Sequence, residues 1–84
     1  MPEGLEIVRV SYDPEADAAY ITLIDRELQP GESAHQSDTI DAPGDRGTLI
    51  ADFETEGRLL GIEVLAARSV LPVNLLPAEH RPTS

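Results

Sequence analysis

The stretch LIADFETEGRLLGIEVLA, Leu49 to Ala66, decides the fold. Apolar and polar residues alternate on either side of a short polar break, the pattern of two β-strands folded back on each other. Gly57 supplies the positive φ needed to leave the four-residue turn ETEG at no steric cost. With Phe53 opposite Arg58, the residues Leu49, Ala51, Phe53, Leu60, Ile62 and Val64 share one face, which is the expected core. The other face then carries Thr48, Ile50, Asp52, Leu59, Gly61, Glu63 and Leu65, and it is too apolar for an ordinary solvated surface. A one-residue change of register redistributes both sets, so the register stays open at this point.

Upstream, Ile7 to Tyr12 alternate as a strand, with Val8, Val10 and Tyr12 on one face. The segment DPEAD, Asp13 to Asp17, turns the chain: Pro14 presets the φ of a type I turn, and Asp13 can accept a hydrogen bond from its own backbone ahead. A second strand runs from Ala19 to about Ile24, completing a first hairpin in which Tyr12 and Tyr20 are expected to meet as a cross-strand aromatic pair. From Asp25 to Asp38 the alternation lapses around Pro30-Gly31, which marks a connection with room for one irregular edge strand. Thr39 to Asp41 form a short strand, and Ala42 to Gly47 turn the chain into the second hairpin. Beyond Val64, LAARSVL predicts one short helix stopped by Pro72. Pro72, Pro77 and Pro82 argue against a regular element in the tail, where Leu75 and Leu76 are expected to dock on a neighbouring surface.

The predicted fold class is therefore α+β, a small antiparallel β-sheet of four to five strands (two hairpins, meander-like) with one short C-terminal helix. Residues 1–6 read as a lead-in, 7–71 as a single domain, and 72–84 as a Pro-rich C-terminal tail. A chain of 84 residues has room for one core, and at this size such a core supplies only ~3 to 5 kcal/mol, so association with another chain is a common supplement. There are no cysteines, which removes disulfides and thiolate metal sites and is compatible with a cytoplasmic protein. Sixteen acidic residues against six arginines and no lysine give a formal charge of −10, which repels phosphate backbones and anionic lipid. Direct nucleic-acid binding is not expected. Neither is a membrane span or a secretory signal, since no apolar run approaches the ~20 residues a bilayer requires.

Two blocks of the chain resemble a known family. YDPEADAAYITL, Tyr12 to Leu23, followed by IADFETEGRLLGIEVLAA, Ile50 to Ala67, is similar to the small bacterial proteins of domain of unknown function 2283. Ala19 stands where that family commonly has Leu, and the middle is longer and more polar. The resemblance implies a compact β-sheet domain with a short helix and no established activity. Members encoded beside a small toxin-like protein suggest an antitoxin-like, partner-binding role, although the basic DNA-binding element of self-repressing antitoxins is missing from this chain.

Candidate chemistry is sparse. Asp13, Glu15 and Asp17 alternate as oxygen ligands do at the start of a calcium loop, but Ala18 and Ile24 occupy the positions where such a loop needs its Gly and its bidentate Glu. The reading that follows is an acidic hairpin turn. Asp52 and Glu63 fall on neighbouring strands of one face, where a carboxylate pair in apolar surroundings can do acid–base work. Pairing with Arg9, Arg58 or Arg68 is the stronger expectation, because like charges set opposite each other are unfavourable. His35 and His80 read as solvated, and Gly61 as a place of close backbone approach or a bulge. No catalytic residue, metal site or cofactor is assigned.

The leading functional expectation is a protein-interaction or oligomerisation module, a homodimer built on Ile50, Leu59 and Leu65, with a basic protein as a further partner. Two readings compete with it. One is a small metal- or small-molecule-binding enzyme using Asp13, Glu15, Asp17, Asp52 or Glu63; the other is a nucleic-acid mimic.

Overall fold

A computed structural model describes residues 9–24, 26 and 28–81. The proposed lead-in, the strand positions Ile7 and Val8, and Pro82 lie outside the described residues. Strands β1 (Arg9–Asp13) and β2 (Ala18–Thr22) form the first hairpin, with Arg9 opposite Thr22 and Asp13 opposite Ala18. Asp13 closes the turn as its chemistry predicts, its Oδ1 accepting the Glu15 N–H at 3.0 Å. This register places Tyr12 opposite Ala19 and Tyr20 opposite Ser11, so the two tyrosines point to opposite faces of the sheet. The expected Tyr12–Tyr20 pair does not form.

Strands β3 (His35–Gln36) and β4 (Ile40–Asp41) both pair with β5 (Thr48–Phe53) and together make one interrupted edge. Ser37 fills the break: its N–H donates to the Ala51 carbonyl and its Oγ accepts the Ala51 N–H, both at 2.9 Å. Strand β6 (Leu59–Leu65) is inserted between β2 and β5, giving the order β1-β2-β6-β5 with β3 and β4 along the far edge, all antiparallel. The sheet thus has an antiparallel meander, β3/β4 to β6, set against the first hairpin.

The second hairpin turns as the sequence predicts, with Gly57 at φ 90° and its N–H donating to the Glu54 carbonyl at 2.9 Å. Its register is different. Phe53 lies opposite Leu59 rather than Arg58, an irregularity follows between Asp52 and Phe53, and Leu49 faces Val64. The Glu54 N–H donates to the Arg58 carbonyl, so the turn itself occupies the position assigned to the first strand pair. Over residues 48–52 the displacement from the expected register is two residues, an even number, so these side chains and their partners keep their predicted faces; at Phe53 it is one, and Leu59, expected on the other face, pairs with Phe53.

The core assembles on one side of the sheet. Ala19, Val64, Ala67 and Leu76 are its buried centre, and Val10, Tyr12, Ile21, Leu49 and Ile62 pack against it from the strands. A single short helix, α1 (Ala67–Val70), covers this side together with the tail. Ala66 takes left-handed angles, φ 58° and ψ 49°, to swing the chain off β6 and back over the sheet. The tail winds through 3-10 turns at Val73–Leu75 and Ala78–His80, each entered from a proline, and of the pair expected to dock, Leu76 is the one that enters the core. Among the described residues no helix is long and apolar enough to cross a membrane.

Candidate functional site

The side of the sheet away from the helix carries the groups with chemistry to offer. By the pairing register, Tyr20, Glu63 and Ile50 lie in one cross-strand row, and Gly61, Asp52 and Gln36 in the next. Asp52 is 5% exposed, the only buried charged side chain among the described residues. Its Oδ2 accepts the Tyr20 hydroxyl and its Oδ1 accepts the Gln36 amide, each at 2.8 Å. The carboxylate is therefore satisfied by two neutral donors, where the sequence suggested an arginine. Arg58 instead approaches Glu56 at 3.6 Å on the exposed turn. Burial, then the hydrogen bond to Asp52, then the charges of Asp52 and Glu63 push the Tyr20 hydroxyl well above its ordinary pKa, so it remains a donor throughout the physiological range.

Gly61 makes this network possible. A Cβ at that position would sit 2.6 Å from the Ile21 carbonyl oxygen, from Tyr20 Cε2 and from the Tyr20 hydroxyl. The Tyr20 side chain therefore crosses β6 over a bare backbone to reach a carboxylate on β5. Sequence reasoning found the close approach at Gly61 but missed Tyr20 and Gln36; a polar residue that must share a face with a buried acid was the available signal.

The acidic turn does not act as a unit. Asp13 is spent on the turn, Glu15 is exposed, and Asp17 turns inward. Asp17 Oδ1 accepts the Tyr12 hydroxyl at 2.8 Å and the Arg68 N–H at 3.0 Å, while its carbonyl accepts the Ala67 N–H at 2.9 Å. Burial and this bond raise the Tyr12 pKa. Tyr12 also packs against His80 with ring centroids 5.3 Å apart, so His80 is half-buried rather than solvated as expected. Among the described residues no three His, Cys, Asp or Glu side chains form a group suited to a metal ion.

Of the three residues expected at an interface, Ile50 and Leu65 fall on the same side as Asp52 and Glu63, while Leu59 lies opposite Phe53 across the irregularity. Leu59 and Leu65 are 39% and 37% exposed, and Ile50 is half-buried beside Glu63. What the arrangement can do chemically is present an apolar patch stiffened by a neutral–anionic hydrogen-bond network and bordered by acid.

Such a molecule is a small single-sheet domain of the α+β class, with its core on one side; its exposed large apolar residues are distributed, with Leu65 on the other side, Ile40 at the edge opposite Leu49 and Val73 in the tail. The family model described as protein of unknown function (DUF2283) matches residues 9–68, and the chain belongs to that family. The match runs from the first residue of β1 to Arg68, and so spans both ends of the Asp17 contact with α1. No curated protein and no solved structure matches the chain.

Proposed function

We propose that this chain is a protein-interaction module that docks a basic protein on the sheet face opposite its core. One observation carries the reading: Leu65 stays exposed and Ile50 half-buried, with exposed Leu59 at the adjoining turn, on a face whose one buried charge among the described residues, Asp52, has both carboxylate oxygens hydrogen-bonded within the chain. Apolar residues supply the affinity of such a face, and Glu63 with the net charge of −10 selects a cationic partner and speeds encounter. The product of a neighbouring gene, in the manner of an antitoxin and its toxin, is the partner class that this family suggests.

The test is co-expression with the chromosomal neighbours, gentle purification and native mass spectrometry. A complex with a neighbour's product, lost in Ile50→Glu and retained in a surface control such as Glu15→Gln, is the expected result. A complex that survives Ile50→Glu removes the face from the interface. Capture only when DNA is absent, with DNA competing for the same partner, converts the reading to nucleic-acid mimicry.

A further inference from the structure

The two edges of the sheet are built differently. On the β5 side the edge is divided between two strands of two residues, with Ser37 satisfying the backbone in the gap. Short, broken edges of this kind resist pairing with another chain. On the other side β1 is an unbroken run of five residues, RVSYD, paired only with β2 among the described residues. It contains no proline and no bulge, two of the devices against edge pairing, and its charged residues, Arg9 and Asp13, are of opposite sign.

The side chains of β1 are also self-complementary. If a second copy runs antiparallel with its Ser11 opposite Ser11, then Val10 meets Tyr12 and Arg9 meets Asp13, each pair occurring twice. Arg9 is exposed and makes no ion pair or hydrogen bond with a described side chain, and Asp13, though it accepts the Glu15 N–H, is exposed as well. Val10 and Tyr12 are half-buried at the margin of the core, so pairing would extend the apolar layer across the join. In a chain of charge −10, two copies repel at long range, and a local cation–anion match is what an edge contact needs to offset it.

We infer that β1 is a pairing edge, and that two copies of this chain join antiparallel through it about a two-fold axis at Ser11, with Arg9 of each opposite Asp13 of the other. The sheet then runs continuously through both copies and sets their two docking faces side by side. This deepens the interaction reading but moves self-association from the Ile50 face to the strand edge.

Sedimentation over a range of protein concentrations tests it. The wild type should show a monomer–dimer equilibrium, and Arg9→Asp, which sets two like-charged pairs across the join, should raise the dissociation constant by about tenfold or more. Asp13→Arg should do the same, and an equimolar mixture of the two variants should recover dimers containing one of each, because both cross-strand pairs are then opposite in charge. Should Asp13→Arg unfold through loss of the turn bond, Asp13→Asn keeps the acceptor while removing the charge, and it should weaken the dimer severalfold. A wild type that stays monomeric at all concentrations, or a dimer indifferent to Arg9→Asp, overturns the proposal. Ile50→Glu leaves β1 intact, so a dimer lost only in that variant assigns self-association to the face instead. Capture of a neighbour's product is read separately, and it stands or falls independently of the edge.

Discussion

Tyr20 is held by three things at once: its ring over Gly61, its hydroxyl on Asp52, and the charge of Glu63 nearby. Tyr20→Phe keeps the ring and removes the donor, leaving a buried carboxylate oxygen without its partner, which costs about 1 to 3 kcal/mol in chemical denaturation. The same substitution has a pH signature. The folded-state pKa of Tyr20 is raised above its ordinary value of 10.0, so the native state holds the proton more tightly than the unfolded chain. Its contribution is fully present below pH 10.0 and is lost as the pH rises above that value. The stability gap between wild type and Tyr20→Phe should therefore be constant from neutral pH to the unfolded pKa and narrow above it; a gap that stays flat into the alkaline range contradicts the network. Gly61→Ala places a methyl group against the Ile21 carbonyl and the Tyr20 ring, and overpacking of this kind costs about 1 to 3 kcal/mol. Combining it with Tyr20→Ala should recover part of the loss, because one of the two obstacles is then gone.

A helix of four residues has no stability of its own, so α1 depends on what holds its start. Ala66 stands at the N-cap position without a side chain that can cap. Asp17 does that work from the first hairpin, its carbonyl accepting the Ala67 N–H and its carboxylate the Arg68 N–H. Asp17 also has φ 51°, a conformation that Asp and Asn tolerate better than Ala. Asp17→Ala should cost about 1 to 2 kcal/mol, the range of a lost cap, whereas Asp17→Asn should keep much of it because its oxygen can still accept. Equal losses in the two variants, measured by thermal melts, would mean that the carboxylate charge rather than the cap geometry matters.

Across the whole molecule, a single sheet with a small buried centre carries a formal charge of −10. Self-repulsion of that size destabilises the compact state and is screened by salt over a Debye length of ~8 Å at physiological ionic strength. The melting temperature should rise from low to physiological salt, by roughly 4 to 8 °C for each ~1 kcal/mol of repulsion relieved. An unchanged or falling value would show that the surface charge is not limiting.

What the sequence by itself determined is whatever depends on neighbouring residues. The turn at Asp13 is a bond to the residue two positions on, Gly57 answers a local demand for positive φ, and the face assignments of residues 48–52 and 61–65 survive because side-chain direction repeats every two residues. Registers were less legible: one residue of slip in the first hairpin sent Tyr12 and Tyr20 to opposite faces, and the second is displaced by two residues along most of its length but by one at the irregularity beside Phe53. The tertiary structure alone decided that β6 lies between β2 and β5. That insertion brings Tyr20 to Asp52 from 32 positions away and the Arg68 N–H to Asp17 from 51, and it leaves β1 paired only with β2 among the described residues. Such contacts follow from strand order, and strand order is set by how the whole chain buries its apolar faces rather than by any local pattern.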